Sequence, residues 1–480
     1  MKLIARQKFW LAIVVVANTV LWLIPSDVVD QIARDRQTML GRYSRTQFNW
    51  IMGVMVVSLI SLYVDWSTGE KYKRRWFQVL ATLLFSLPGL ALVDFLLRTP
   101  ESAHYIRDTV AYHRPADREF FRVFEDKPEA YRTFPNAPPG YGTVPCRLRT
   151  DARGFRNSPG VDRCDVLVLG DSFAEGSNVS DENGWAAHLA TKSGLAVYNL
   201  GVSGYNPMHY LASLTEYGLA LKPRVVLCML YEGNDFRSAK SDWKSKSDSL
   251  SERLKRYLKQ SPVIGAMDRL LINTFGPINS KGRVAGIEML DWLPLTVPEK
   301  QDARYYAFVP TQLRDLYFSR EAFARDRRWL NPQGQIAEMH RLCKEAGAEL
   351  VVVYAPVTAH VMLPVVADHL PADKVRAFTA ISYHEDLPAT DVFLRTLLER
   401  LDARESVVGE WCEQESIPFV TLTRALREAA VRGVQVYYTY NEHWTPDGHE
   451  VVADAIVPYV KRRALAQSLH EAPPNVVTDN

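Results

Sequence analysis

The chain has 480 residues, of which 47% are hydrophobic and 23% charged, and its formal net charge is +2. This length allows two or three domains with cores of their own. The balanced charge gives no basis for nucleic-acid binding. The sequence contains no C-x-x-C pair and no H-E-x-x-H helix, so we expect neither a metal site nor a cofactor.

The five cysteines are scattered along the chain, and their odd number argues against a disulfide scaffold. Cys146 and Cys164 flank one short segment. These two could pair if the segment lies in an oxidising compartment outside the cytoplasm.

Three apolar runs lie near the start of the chain: Phe9–Ile24, Phe48–Val64 and Trp76–Leu97. A transmembrane helix needs about 20 mostly apolar residues. The third run has this length, and the first two are shorter but carry the terminal aromatic residues typical of membrane interfaces. A cleaved signal peptide would explain the first run alone, but no small-residue cleavage site follows it and two more runs do. We therefore predict a membrane domain of three transmembrane helices over residues 1–98.

Lysine and arginine residues beside the three runs predict their orientation, because cytoplasmic loops are enriched in these residues. If the N-terminus lies inside, the inner side carries seven basic residues near the runs: Lys2, Arg6, Lys8, Lys71, Lys73, Arg74 and Arg75. The outer side then carries four arginines: Arg34, Arg36, Arg42 and Arg45. The bias favours an inside N-terminus, so everything after Leu97 would lie outside the membrane.

An alternation of apolar strands and helices follows a Pro-rich linker and lead-in segment, which we place at residues 99–160. Continuous apolar strands that alternate with helices indicate a parallel sheet covered on both faces. The five predicted strands are Asp165–Leu169, Ala196–Leu200, Arg224–Tyr231, Glu349–Tyr354 and Pro418–Leu422. The predicted helices include Trp185–Ser193, Pro332–Ala346 and one from Pro446 to about Arg463, capped by Thr445.

This pattern predicts an α/β domain over residues 161–465, followed by a flexible tail over 466–480. Two insertions interrupt it, at about 236–328 and 356–416. The first contains a basic amphipathic stretch, residues 251–260, which could be a solvated face or could touch anionic lipid headgroups.

Polar residues follow three of the predicted strands at the point where each strand ends. Ser172 follows the first strand, Gly201 to Gly204 follow the second, and Asn234 follows the third. His443 lies just before the last helix. Because ligands bind outside the carboxyl ends of parallel strands, we expect these residues to converge there. A serine activated by histidine, with N–H donors for an oxyanion, is the equipment of acyl transfer.

Four segments, G-D-S-F, N-L-G-V-S-G-Y-N-P, Y-E-G-N-D and H-W-T-P-D-G-H, resemble in this order the blocks of the SGNH (GDSL-type) hydrolase superfamily. T-D-A-R-G-F-R-N, before the first strand, is also similar to many bacterial members. The resemblance covers roughly residues 150–463 without the insertions, and it implies a flavodoxin-like three-layer α/β/α sandwich. With the predicted helices, it places the chain in the bacterial inner membrane as a multi-pass protein with a periplasmic catalytic domain.

Carried over position by position, the resemblance implies a role for each residue. Ser172 would be the nucleophile, and its backbone N–H would be one donor of the oxyanion hole. Gly204 and Asn234 would supply the second and third donors. His443 would be the general base, so activity should fall as the ring is protonated, near its unperturbed pKa of about 6.5.

Each of these assignments has an alternative. Ser172 could merely cap the following helix, and Asn234 could be only a turn former. Gly201 is the other candidate for the second donor. His449, with Asp447 near it, is the other candidate base, but it falls inside the last helix, whereas the family's histidine precedes it. An α/β-hydrolase would need G-x-S-x-G, which is absent around Ser172.

The acid that orients the histidine departs from the family's pattern. The family places an aspartate three residues before the histidine, or two in some acetyltransferase-like members, and Tyr440 and Asn441 occupy these positions. We expect Glu442 to point elsewhere. Asn441 or a backbone carbonyl could hold the imidazole instead. Losing the aspartate of a serine triad can cost about 10⁴ in rate, so the departure keeps an inactive protein among the hypotheses.

Three functions fit the sequence. The first is a membrane-anchored serine esterase that hydrolyses O-acyl esters of a small molecule or glycan. The second is an O-acyltransferase that modifies an envelope or exopolysaccharide glycan together with a membrane-protein partner, because H-W-T-P-D-G-H also resembles the alginate O-acetyltransferase branch. The third is a catalytically degenerate subunit of an envelope assembly.

Overall fold

The computed structural model describes residues 5–24, 38–40, 43–65, 67, 69–97, 112–127, 138–158, 160–236, 261–275, 293–297, 304–383 and 386–471. The chain divides into two compact units. Unit 1 comprises Met1–Ser102, Ala130–Asn136 and Lys246–Leu290. Unit 2 comprises Ala103–Glu129, Ala137–Ser245 and Asp291–Asn480.

Unit 1 is built from helices. They are Ala5–Leu23, Arg45–Asp65, Glu70–Leu97 and Pro262–Phe275, with the short strands Thr38–Met39 and Tyr43–Ser44 before the second helix. Two of them contain stretches long and apolar enough to cross a membrane, Thr46–Val64 and Glu70–Asp94. The apolar part of the first helix, Ala12–Leu23, is shorter. Two of the three predicted membrane helices therefore have the required length among the described residues.

Unit 2 contains a sheet of five parallel strands, numbered β1 (Val166–Leu169), β2 (Val197–Asn199), β3 (Val225–Tyr231), β4 (Glu349–Ala355) and β5 (Phe419–Thr421). Their spatial order is β5-β4-β3-β1-β2, and every pairing is parallel. This is the flavodoxin-like order. The prediction of an α/β fold with a parallel five-stranded sheet is confirmed.

Helices cover both faces of this sheet because its strands are apolar on both sides. Leu167 and Leu169 lie in one core cluster with Trp329, Ile336 and other side chains of the helix Arg327–Glu345. The alternate residues, such as Val166 and Val168, are equally buried. On that side the helices Trp185–Ser193 and Pro446–Glu471 pack together.

The described helices of unit 2 vary widely in length. The α-helices are Ser172–Glu175, Trp185–Ser193, Pro207–Ser213, Pro310–Leu316, Arg320–Ala324, Arg327–Glu345, Thr358–Met362, Ala372–Ala380, Thr390–Glu399, Ala403–Gln414, Thr423–Val431 and Pro446–Glu471. The 3₁₀ turns are Asp181–Asn183, Leu219–Leu221 and Ala367–His369, and Leu214–Gly218 is a π turn.

Two predicted helix boundaries were wrong. The helix predicted from Pro332 begins at Arg327, because the Asp326 side chain accepts a hydrogen bond from the N–H of Arg328 and so caps the helix earlier. The last helix does begin after Thr445, whose hydroxyl oxygen accepts from Gly448 N–H. It runs to Glu471 and so includes the first part of the predicted tail, whose remainder lies outside the described residues.

The lead-in segment contains an antiparallel hairpin, Glu119–Asp126 with Gly142–Arg149. Its inner face carries Cys146, which packs beside Tyr438. Cys164 lies instead in the main core cluster. Both thiols are free, as are those of the other three cysteines, so the disulfide that the sequence allowed does not form.

Both predicted insertions are folded where the structure describes them. The first contributes Pro262–Phe275 to unit 1, and Leu293–Val297 pairs with Arg304–Phe308 in unit 2. The second contributes four α-helices between Thr358 and Gln414. The basic stretch 251–260 lies outside the described residues.

Candidate active site

The candidate site lies at the carboxyl edge of the sheet, where β1 neighbours both β2 and β3. In the flavodoxin-like order this is the switch point, where ligands bind. Ser172, Gly204 and Asn234 follow β1, β2 and β3 in turn. The structure therefore brings the three predicted oxyanion donors to one edge of the sheet.

Ser172 is the first residue of the short helix Ser172–Glu175 and is partly exposed. Asp171 caps this helix, because its Oδ1 accepts a hydrogen bond of 2.9 Å from the N–H of Phe173. The Ser172 N–H has no acceptor among the described residues. The cap thus leaves this N–H available to a ligand at the helix N-terminus.

The turn after β2 leaves a single backbone N–H without an acceptor among the described residues, that of Gly204. Gly201 N–H donates to Asn199 Oδ1 at 2.8 Å, so it is already used. The N–H groups of the intervening and following residues donate to Gly170 O, Glu175 Oε2 and Val202 O. Gly204 has a positive φ of 84°, a conformation that glycine adopts without strain. Because the Gly201 N–H is already hydrogen-bonded and the Gly204 N–H is not bonded to any described residue, Gly204 is favoured over Gly201 as the second donor.

The side chain of Asn234 is linked to Asp171, the residue before Ser172. Its Nδ2 donates a hydrogen bond of 2.7 Å to Asp171 Oδ2. An amide nitrogen carries two hydrogens, so one remains for a ligand. Burial raises the pKa of Asp171 to about 7. Asp171 therefore positions two of the three donors at once, by capping one turn and holding the side chain of the other.

A buried ion pair stabilises the turn that carries Asn234. Glu232, two residues earlier, receives a hydrogen bond of 2.9 Å from His360 Nδ1. His360 Nε2 lies 2.8 Å from Asp402 Oδ1. Burial opposes the charge on His360, but the Glu232 and Asp402 carboxylates outweigh it and raise the pKa of His360 to about 10. The second insertion, which contains His360, thus holds the third donor's turn in place.

Replacing His360 by glutamine should lower the free energy of unfolding by about 3–5 kcal/mol, since it removes the cation that is hydrogen-bonded to the buried Glu232 carboxylate. Urea unfolding of the detergent-solubilised full chain, followed by tryptophan fluorescence, would measure this. The matched control is His369→Gln at an exposed position, which should change stability by no more than about 0.5 kcal/mol. Equal effects of the two substitutions would contradict the ion pair.

His443 lies beside the turn that carries Ser172. Its ring stacks on that of Phe173, the residue after Ser172, with 4.9 Å between ring centroids. Its Nδ1 lies 2.5 Å from Asn441 Oδ1. Its Nε2 is buried and has no hydrogen-bond partner among the described residues, so it makes no hydrogen bond with Ser172 Oγ. Burial, followed by the positive charge of Arg122, lowers the pKa of His443 to about 4.

The other side chains near His443 have different partners. His449 Nδ1 accepts a hydrogen bond of 3.4 Å from the N–H of Trp185, so its lone pair is used and the ring is unsuited to be a base. Asp447 is exposed. Glu442 accepts from Gln312 Nε2 at 3.1 Å and points toward the first insertion. Asn441 contacts the His443 ring through its Oδ1.

The lead-in segment supplies site contacts that the sequence analysis missed. Arg114 Nε lies 2.6 Å from Oε1 of the buried Glu175, which also accepts from the N–H and hydroxyl of Ser203. Burial opposes the charge on Glu175, but the Arg114 guanidinium holds its pKa below the ordinary value. Asp126 accepts from the N–H groups of Thr439 and Tyr440. These contacts fix the glycine turn and the histidine loop, and no local sequence pattern marks them.

Within the described ranges, no group of three or more His, Cys, Asp or Glu side chains is placed to hold a metal ion. The arrangement at the sheet edge offers a hydroxyl, an imidazole and N–H donors, the groups that acyl transfer uses.

The chain is similar to solved structures of the G-D-S-L family, the superfamily that its four motifs resemble. One is described as a lipolytic protein of that family from Desulfitobacterium hafniense, at 15% identity and a TM-score of 0.28, over 62% of this chain and 98% of the other. Another is a GDSL-like lipase from Bacteroides thetaiotaomicron, at 12% and 0.26, over 62% and 87%.

A third is a catalytic mutant of an acetylxylan esterase from Geobacillus stearothermophilus, at 12% identity and a TM-score of 0.29, over 62% of this chain and 93% of the other. No family model matches the sequence, and no curated protein matches it.

Proposed function

We propose that the chain is a serine esterase that hydrolyses O-acyl esters through an acyl-Ser172 intermediate. The observation that supports this proposal most is that N–H groups without an acceptor among the described residues gather at the sheet edge. Three N–H donors, on Ser172, Gly204 and Asn234, follow three adjacent strands and keep a hydrogen to spare, as an oxyanion requires. His443 Nε2, which lies beside them, has no hydrogen-bond partner among the residues that the structure describes.

In the proposed reaction, the Ser172 hydroxyl oxygen adds to the ester carbonyl carbon and its proton passes to His443 Nε2. The three N–H donors stabilise the resulting oxyanion. The tetrahedral intermediate collapses, and the leaving alcohol takes the proton from His443. Water then adds to the acyl-serine as His443 again accepts a proton. Collapse of this second tetrahedral intermediate returns the proton to Ser172 Oγ and releases the carboxylic acid. Ser172 Oγ must come within hydrogen-bond reach of Nε2, a contact that often tightens only when substrate binds.

We propose further that unit 1 anchors the chain in the bacterial inner membrane, with unit 2 on the periplasmic side. Two stretches of its helices have the length and composition of membrane spans. Large apolar side chains project from the last of these helices, where Phe77 and Phe85 are 71% and 76% exposed. An exposed apolar surface of this kind suits contact with lipid. The lysine and arginine bias of the sequence supports the orientation.

The experiment is to treat the full chain in detergent with a fluorophosphonate probe, which labels activated serines covalently. Wild type should be labelled and should hydrolyse p-nitrophenyl acetate, whereas Ser172→Ala should be unlabelled and should lose hydrolysis by about 10⁴-fold or more. Ser177→Ala, a nearby matched substitution, should keep the label. Equal background rates for wild type and Ser172→Ala would refute the proposal and favour a non-catalytic assembly subunit.

The same acyl-enzyme could transfer its acyl group to a glycan hydroxyl in place of water, with a membrane-protein partner supplying the acyl group. Adding oligosaccharide acceptors to the assay and searching for acylated product by mass spectrometry separates the two outcomes. If acylated glycan forms with wild type and does not form with Ser172→Ala, O-acyl transfer and not hydrolysis is the function of the site.

A further inference from the structure

We infer that Asn178, oriented by Arg122, is a positioning residue that fixes the ring tautomer of His443 through Asn441. The inference rests on the proposed function, since a fixed tautomer matters only if His443 acts as a base. It concerns a side chain in the loop after the nucleophile helix and another in the lead-in hairpin, neither of which belongs to the four motifs.

Three hydrogen bonds connect these side chains in a row. Arg122 Nη2 donates to Asn178 Oδ1 at 2.6 Å. Asn178 Nδ2 donates to Asn441 Oδ1 at 3.1 Å. Asn441 Oδ1 also accepts from the backbone N–H of His443 at 3.1 Å and lies 2.5 Å from His443 Nδ1. We call Arg122, Asn178 and Asn441 the amide relay.

The direction of the amide relay follows from its first member. A guanidinium can only donate hydrogen bonds, so it must face the oxygen of the Asn178 amide. The Asn178 nitrogen then faces Asn441, which must present its own oxygen. An oxygen facing His443 Nδ1 requires that Nδ1 carry the hydrogen. In a neutral imidazole this leaves Nε2 as the acceptor, which is the state a general base needs.

An aspartate would need no such relay, because a carboxylate has no donor face to present. An asparagine is ambiguous, since its amide can rotate by a half-turn and offer N–H groups to the ring instead. The relay removes this ambiguity together with the backbone N–H of His443, since both donate to Asn441 Oδ1. Asn178 is well placed for the task, because its backbone is held at a positive φ of 66° and Tyr438 Oη donates to its carbonyl oxygen at 2.7 Å.

The sharpest test is Asn178→Asp in the full-length protein, because it reverses the relay's polarity without changing its size. Aspartate also tolerates the left-handed conformation, and it would form an ion pair with Arg122. Asn441 would then turn its nitrogen toward the new carboxylate and lose its hold on the Nδ1 hydrogen. We expect kcat for p-nitrophenyl acetate to fall by about 10²–10⁴-fold, the cost of a wrong tautomer, with KM and the melting temperature maintained.

The isosteric control is Asn183→Asp, which lies in the same loop region but outside the relay and should leave kcat unchanged. A second variant, Arg122→Met, should also lower kcat, whereas Arg147→Met on the neighbouring strand should not. In an Asn441→Asp background the effect of Arg122→Met should shrink to within a few fold, because the carboxylate can only accept. A loss of equal size in both backgrounds would show a merely structural role and overturn the inference.

The tautomer can be read without any activity, by NMR of full-length protein labelled with ¹⁵N-histidine, with the His443 signals assigned from His443→Gln. Wild type should show the hydrogen on Nδ1, and Asn178→Asp should move it to Nε2. If wild type hydrolyses no ester but the tautomer responds in this way, the proposed function fails and the relay stands. If the tautomer is the same in both proteins, the relay is wrong whatever the activity.

Discussion

Replacing His443 by glutamine should lower kcat for p-nitrophenyl acetate by about 10⁴–10⁶-fold, because the loss of one member of a catalytic unit costs nearly as much as the loss of all. KM should change little, since the imidazole acts on the Ser172 proton and not on ground-state binding. Glutamine keeps a planar polar group against Phe173, so the fold should survive. Steady-state kinetics of the full chain at pH 7 would measure the effect.

The control for this prediction is His449→Gln. His449 is buried and uses its Nδ1 to accept from Trp185 N–H, so its loss should affect the melting temperature more than kcat. A fall in kcat of less than about tenfold is expected for this variant. If His449→Gln removed activity and His443→Gln did not, the assignment of the base would have to be exchanged.

The sheet was predictable from the sequence because its strands are buried on both faces. Continuous apolar runs such as Val225–Tyr231 carry a signal that no amphipathic element imitates. Helix starts were harder to predict. Pro332 is typical of a first turn, but the cap at Asp326 begins the helix earlier and leaves the proline inside it. Local sequence signals therefore predicted the presence of each element more accurately than its first residue.

The edge of the sheet was predictable for a geometric reason, since the ends of parallel strands must share one edge. The side chains that support the site were not. Arg122 and Asn178 are 56 residues apart, and Asn178 and Asn441 are 263 apart. Contacts of such long range depend on how the hairpin packs against the histidine loop, and no spacing in the sequence records that.

The burial of His443 changes the expected response of activity to pH. An unperturbed histidine would lose its basic form near pH 6.5, but burial and Arg122 lower the pKa of His443 to about 4. The ring must be neutral to accept a proton, and it stays neutral down to that pH. Protonation of His443 should therefore reduce wild-type activity only as the pH falls through about 4.

Asn441→Asp should restore the usual acid, and activity should then be lost at a higher pH than in wild type. A carboxylate in hydrogen-bond contact favours the protonated ring and should raise the pKa of His443 by about 1–3 pH units. It should also raise kcat at pH 8, but by less than the roughly 10⁴-fold that an aspartate is worth where it sets the tautomer. The amide relay already fixes the tautomer, so what remains is stabilisation of the imidazolium, for which we expect about 10–10²-fold.

Rate profiles of wild type and Asn441→Asp between pH 3 and 9 would check both effects. Burial raises the pKa of Asp171 to about 7, and the charges of Arg122 and Glu175 act on His443. The substitution replaces none of these three groups, so the difference between the profiles isolates the new carboxylate. An unchanged acid limb would mean that residue 441 does not contact the base during catalysis. A gain approaching 10⁴-fold would mean that asparagine leaves the tautomer unfixed, and it would count against the relay.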